Sequence, residues 1–172
     1  MGVELVTGSD LHERVIQQGV MEANRFVWIA TANLKDMRVE HGGRFRPILK
    51  IFDDLSHKGV TFRIVHSELP SRPFRETLER LPKLYSGALE LQICPRSHWK
   101  MVIVDGKLAY WGSANFTGAG LGAKADKRRN FEMGTVTTVP SEVARIRDLF
   151  DEFWLGSFCP DCKLRDKCPD PI

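Results

Sequence analysis

The chain alternates short apolar segments with polar, turn-rich ones, and the period within each apolar segment separates helix from strand. Leu11, Val15, Ile16 and Val20 recur at helical spacing. Asp10 with Glu13 has the form of a capping box, so a first helix is expected over 11–23. Phe26-Val27-Trp28-Ile29-Ala30 opens a continuous apolar run over 26–32, the pattern of a strand buried on both faces. A polar stretch, 33–43, reads as a loop ending in Gly42-Gly43. Phe45, Ile48, Leu49, Phe52 and Leu55 then return to helical spacing, with Gly59 as the stop. The segments 60–65 and 89–93 read as strands, and Pro73 suits the first turn of a short helix carrying Phe74, Leu78 and Leu81.

The second half breaks this alternation. Segments 98–104 and 107–111 are apolar strands joined by Asp105-Gly106, a strong hairpin signal. The segment 131–139 is a further strand. Ser141 is placed to cap a last helix with Val143, Ile146, Leu149, Phe150, Phe153 and Trp154 facing inward. Helix–strand alternation followed by a hairpin implies an α/β fold: a single domain with a mixed β-sheet flanked by helices.

Composition narrows the picture. The 172 residues suit one domain with a real core, and 42% hydrophobic with 27% charged residues excludes a disordered chain. A net charge of +3 permits an anionic substrate without demanding one. The most apolar run is far short of the ~20 residues of a membrane-spanning helix. The start of the chain lacks a basic region followed by an apolar core, so a cytoplasmic location is expected. Cys159, Cys162 and Cys168 crowd the tail while Cys94 stands alone, which is not a disulfide framework.

The stretch 97–115, SHWKMVIVDGKLAYWGSAN, carries the chemistry. Alternation along a strand puts His98 and Lys100 on one face. With Asp105-Gly106 as the two turn residues, Val104 faces Lys107, Lys100 faces Trp111 and His98 faces Ser113. An imidazole, an ammonium and a hydroxyl then share one side of a hairpin, with Asn115 just beyond and the glycine-rich 118–122 following. Lys100 supplies positive charge, and Ser113 and Asn115 supply neutral donors, which is a site for a phosphoryl group. His98 can act as nucleophile or proton donor. No carboxylate cage for magnesium lies in this stretch.

His98, Lys100, Asp105, Gly112, Ser113 and Asn115 match H-x-K-x(4)-D-x(6)-G-S-x-N at every fixed position, and the chain thereby resembles the phospholipase D superfamily. Asn-Phe-Thr after the motif and Asn130-Phe131-Glu132 further on are similar to its small single-motif members, above all the bacterial endonuclease branch. The resemblance covers roughly residues 5–156. It implies a phospholipase D-like sheet and a phosphodiesterase that needs no cofactor for catalysis. Two motif copies would face each other, one histidine forming a phosphohistidine and the other protonating the leaving oxygen. One copy per chain implies a homodimer with a shared site. By the same resemblance Lys100 and Asn115 hold phosphate oxygens, Ser113 supports them, Glu132 orients the histidine and Asp105 holds the turn.

Three features lie outside the motif. Arg72, Arg75 and Arg80, then Lys124, Lys127, Arg128 and Arg129, are basic groups that suit a phosphate backbone, although a solvated face would look the same. Trp99 and Trp111 are expected to pack, and His12, His41, His57 and His66 to be structural. Cys159-x2-Cys162 has metal-ligand spacing, with Cys168 and either Cys94 or a ligand from a partner chain completing a structural zinc or iron–sulfur centre; both metals remain open, and reduced, unligated thiols or an adventitious disulfide would show the same spacing. The chain is thus divided into a phosphodiesterase domain, 1–156, and a Cys-rich tail, 157–172. Nucleic acid is the favoured substrate. The alternatives are lipid phosphodiester chemistry and a nucleic-acid-binding module with little catalysis.

Overall fold

The computed structural model describes residues 2–172. The strands are β1 (Val3–Thr7), β2 (Phe26–Thr31), β3 (Arg38–His41), β4 (Arg44–Pro47), β5 (Thr61–His66), β6 (Leu89–Ile93), β7 (Met101–Val104), β8 (Leu108–Gly112) and β9 (Met133–Thr137). The helices are α1 (Ser9–Leu11), α2 (Ile48–Ser56), α3 (Arg72–Glu79) and α4 (Pro140–Trp154). Seven strands form one mixed sheet in the order β1-β9-β8-β7-β2-β5-β6, and β3 and β4 form a separate hairpin. β2, β5 and β6 run parallel, and every other neighbour in the sheet is antiparallel.

Alternation divides the apolar runs between two cores. On β2, Val27 and Ile29 enter the larger core with Val15, Phe52, Phe62 and Phe74, while Ala30 joins Met101, Ile103 and Ala109 on the opposite face, with Trp28 packed against them. α4 covers that second face through Val143 and Phe150, and Phe150 stacks on Trp28 with ring centroids 5.2 Å apart. Phe52 stacks on Phe62 at 4.3 Å in the larger core. Each such buried aromatic contributes about 1.5–3 kcal/mol of transfer free energy.

Several expected elements take a different form. The first helix is interrupted: α1 runs into a π-helical stretch, His12–Gln17, and a separate 3-10 turn, Val20–Glu22, with no side-chain cap at the start. The break falls at Gly19, where a Cβ would stand 2.5 Å from the Val15 carbonyl oxygen. Phe45 lies on β4, not on a helix, and is exposed; the stretch read as a loop contains β3, joined to β4 by Gly42 (φ 60°) and Gly43 (φ 75°). α2 begins at Ile48 and closes at Gly59 as expected, with φ 94° there. Pro140, not Ser141, opens α4, so Ser141 is no cap. β1 had no expected counterpart; it pairs with β9 from Val3↔Thr137 to Thr7↔Met133.

The hairpin register also differs. Met101 pairs with Trp111 and Val104 with Leu108, so Lys107 joins the turn and every pairing moves by one residue. Asp105 (φ 56°) and Gly106 (φ 66°) are both left-handed, and Lys107 N–H donates to the Val104 carbonyl at 2.9 Å. His98 and Lys100 precede β7 as extended chain. Lys100 therefore stands opposite Gly112, whose N–H donates to the Lys100 carbonyl at 3.1 Å.

Candidate active site

The motif residues gather at one end of the sheet. β2 and β5 finish there, β7 and β9 begin there and β8 ends there. It is the carboxyl end of the parallel strands, where α/β sheets place ligands.

Asp105 works at the other end of its hairpin. It is 7% exposed, and its carboxylate accepts the N–H groups of Asn24 (2.8 Å), Arg25 (2.8 Å) and Phe26 (2.9 Å). Those bonds lock the start of β2 to the turn and so fix how β7 lies against β2.

His98 and Lys100 are side by side. The Lys100 Nζ is 3.0 Å from Nδ1 and 3.4 Å from Nε2 of His98, and it donates to the His98 carbonyl at 2.8 Å. The imidazole is exposed and the lysine half-buried. Burial lowers the Lys100 pKa below the usual lysine value, while the Glu132 carboxylate nearby acts in the opposite sense.

Asn115 is held by its carbonyl. Oδ1 accepts from the N–H groups of Ala32 and Asn33, each at 3.1 Å, and from the Thr31 hydroxyl at 3.3 Å. With the oxygen committed to the end of β2, the side-chain NH₂ is left to donate elsewhere. The Thr31 hydroxyl also accepts the Phe116 N–H at 2.9 Å, tying the segment after β8 to β2 a second time.

Glu132 differs from expectation. It bonds the Ser113 hydroxyl with Oε2 and accepts from Asn130 Nδ2 at 3.1 Å with Oε1, whereas the side chain in contact with the His98 ring is Lys100. Ser113, expected opposite His98, is paired with Met133 instead: its N–H donates to the Met133 carbonyl at 3.0 Å, and its hydroxyl accepts the Met133 N–H at 3.1 Å. β8 pairs with β9 as well as with β7, and its register there, with Gly112 opposite Gly134, sets Ser113 beside Met133.

Tyr110, which the sequence did not single out, and the motif glycine Gly112 support the loop. Tyr110 is buried, its hydroxyl accepts the Ala114 N–H at 3.2 Å, and burial pushes its pKa up to about 12. A Cβ on Gly112 would lie 2.5 Å from the Met133 carbonyl oxygen and 2.7 Å from the Tyr110 hydroxyl, so the motif glycine is required by close approach. A groove of about 580 Å³ runs beside His98 and Lys100 between β1 and α4. It adds Arg145, a cation that looks like an ordinary solvated position on an amphipathic helix. Trp99 lines this groove and packs on Phe153 with centroids 4.9 Å apart, as expected of a packing residue.

The basic groups divide. Arg72 pairs with Glu76 at 2.6 Å on the exposed side of α3, and Arg75 donates to the Pro70 carbonyl at 3.1 Å. In the second group Arg129 pairs with Asp126 at 2.7 Å, while Lys124, Lys127 and Arg128 form no ion pair among the described residues. The Asn130 N–H donates to the Ala119 carbonyl at 3.0 Å, closing this basic loop two residues before Glu132.

No three or more His, Cys, Asp or Glu side chains among the described residues are arranged to hold a metal ion. The expected tail site, Cys94 with Cys159, Cys162 and Cys168, is therefore not built for a single ion. All four are free thiols. No helix is long and apolar enough to cross a membrane among the described residues.

The family model described as "Cardiolipin synthase, PLD-like domain" matches residues 16–154. Among solved structures, NucT from Helicobacter pylori superposes with a TM-score of 0.66 at 13% identity, over 90% of this chain and 96% of that one. Nuc from Salmonella typhimurium, a phospholipase D family member, gives 0.63 at 18% identity, over 90% and 94%. TrmBL2, an archaeal chromatin protein described as showing a novel mode of DNA binding, gives 0.56 at 17% identity, over 90% of this chain and 53% of that one. No curated protein matches. At these identities the likeness concerns the fold.

Proposed function

The chain belongs to the phospholipase D-like domain family, and on that premise we propose that it hydrolyses phosphodiester bonds in nucleic acid at a site completed by a second copy of itself. The observation that carries this reading is the contact between His98 and Lys100, 3.0 Å apart and open to solvent, with Asn115 fixed at the same end of the sheet through its carbonyl. Lys100 and Asn115 bind the non-bridging oxygens and meet the charge that grows on them. His98 of one copy attacks phosphorus, the P–O bond to the leaving group breaks, and His98 of the second copy gives that oxygen its proton. The second imidazole then takes a proton from water, the hydroxide attacks the phosphohistidine, and the P–N bond breaks to return the first imidazole. No step in this sequence requires a metal ion. Glu132 acts through Ser113, holding the segment that carries Asn115.

The surface around the motif suits a second copy. Leu5 on β1, Trp111 on β8, Phe131 and Met133 are exposed apolar side chains on or beside the strands that lead to the catalytic end, with Phe131 108% exposed. Burying such a patch favours association. The unpaired cations Lys124, Lys127 and Arg128 support a polyanionic substrate over a lipid, because polyanion binding is largely charge neutralisation.

A turnover screen with chelator present tests the reading, using single- and double-stranded DNA, RNA, phospholipid and a chromogenic diester. The expected result is nuclease activity lost in His98→Ala, with dimers in sedimentation. Lipid turnover alone would favour the lipid alternative. Binding without turnover would favour the module, and an active monomer would sink the shared site.

A further inference from the structure

All four cysteines of the chain open onto a single cavity of about 240 Å³. They reach it from distant places. Cys94 follows β6, its N–H donating to the His66 carbonyl at 2.8 Å. Cys159, Cys162 and Cys168 follow α4 on a chain of tight turns, in which Cys162 N–H donates to Cys159, Arg165 N–H to Cys162 and Cys168 N–H to Arg165. The tail folds back onto the sheet edge, where Asp170 Oδ2 accepts the Ile93 N–H at 2.6 Å and the Cys168 thiol lies 3.9 Å from the Ile93 carbonyl.

Two further observations point to an occupant. Gln92 and Ser97 line the same cavity, and they are only 8% and 4% exposed. The Gln92 Oε1 and the Ser97 hydroxyl are buried and have no hydrogen-bond partner among the described residues. A buried hydroxyl without a partner costs about 1–3 kcal/mol, so the Ser97 hydroxyl calls for an acceptor, whereas the Gln92 oxygen, itself an acceptor, calls for a donor.

The placing of the thiols favours a ligand larger than one ion. A zinc ion draws four thiolates to about 2.3 Å from one centre, which leaves no room between them. Here the four cysteines line one cavity, yet no three side chains among the described residues are set for a single metal. An iron–sulfur cluster places iron and sulfide between four thiolates and accepts hydrogen bonds at sulfur, which Ser97 can donate. Cys94, Cys159 and Cys168 each precede proline, as cluster ligands often do. Arg96 and Arg165 stand at the rim against the negative charge, and Trp99, Phe153 and Phe158 supply an apolar wall.

We propose that Cys94, Cys159, Cys162 and Cys168 are the thiolate ligands of one iron–sulfur cluster, which staples the tail to the segment leading into His98. Cys94 lies four residues before His98 and Trp99 lines both cavities, so the cluster sets the base on which the catalytic segment rests. The assignment does not depend on the proposed reaction.

The test is elemental and spectroscopic analysis of the full-length chain purified without oxygen. The expected result is iron and acid-labile sulfide in equal amounts, about two or four of each per chain, with a visible charge-transfer band that dithionite bleaches. Cys94→Ser and Cys168→Ser should each lower both contents severalfold, with far-ultraviolet circular dichroism reporting whether the chain remains folded. Zinc without sulfide would overturn the assignment. So would a colourless protein that takes up no cluster from ferrous iron and sulfide, a result that needs no variant. Full cluster content in Cys94→Ser would overturn the four-thiolate set.

Discussion

The side-chain carbonyl of Asn115 accepts a hydrogen bond from the backbone N–H of Asn33 at 3.1 Å, across 82 residues of sequence. That bond, with its twin from Ala32, commits the amide oxygen to the end of β2 and leaves the NH₂ free to donate. Asn115→Asp keeps the acceptor and removes the donors, so it should lower turnover by about 10²-fold or more while leaving the melting temperature nearly unchanged. Asn115→Ala also orphans the two amides and should destabilise by about 1–3 kcal/mol. Kinetics paired with thermal unfolding separate the two roles; equal unfolding effects would refute the division.

Asp105 is a stability residue for the same site. Asp105→Ala leaves three backbone N–H groups at the start of β2 without their acceptor. The expected loss is about 3 kcal/mol, read by urea unfolding, with turnover largely retained at temperatures where the variant is folded. A selective loss of turnover in a stable variant would instead give the carboxylate a part in the chemistry.

Close approach explains a glycine in the strand beside the motif. A Cβ on Gly134 would meet Tyr110 Cε2 at 2.3 Å and the Trp111 carbonyl oxygen at 2.9 Å. Gly134→Ala should therefore destabilise by about 1–3 kcal/mol through overpacking. Tyr110→Phe in the same background removes the hydroxyl but not the ring, and should relieve little of it.

Activity should carry an alkaline limb set by Lys100. Burial favours the neutral amine, so its pKa lies below the ordinary lysine value of 10.5, and the ammonium is lost as pH rises through the lowered value. Turnover should fall in that range in the parent protein. In Lys100→Arg the limb should move to higher pH, although the rate below it is reduced, because guanidinium stays charged. A limb unchanged by the substitution would assign it to another group.

Stability should weaken on mild acidification. His66 is 2% exposed, and burial lowers its pKa from 6.5, with the Glu68 carbonyl and carboxylate opposing. The unfolded chain therefore binds the proton more readily. Stability from His66 is fully present above about pH 6.5 and is lost as pH falls toward the lowered folded value. His12 is shifted in the same direction by burial. Urea midpoints measured from neutral pH downward should fall in the parent protein and fall less in His66→Gln.

Periodicity and the motif were legible in the sequence because they are local. Alternation alone puts His98 and Lys100 together, two residues apart on extended chain, and divides β2 between two cores. The six motif positions, the placement of β2, β5 and β6, and the stop at Gly59 follow from spacing and turn chemistry. Contacts between distant segments decided the rest. Whether Lys107 belongs to the turn or to β8 depends on how β7 and β8 settle together, and the pairing of β8 with β9 on its other side put Ser113 beside Met133 and Glu132. β1 exists as a strand because β9 offers it an edge, since its exposed Val3 and Leu5 have no core of their own. The pointing of the Asn115 amide and the meeting of Cys94 with the tail span 82 and about 70 residues, distances over which no pattern along the chain reports proximity.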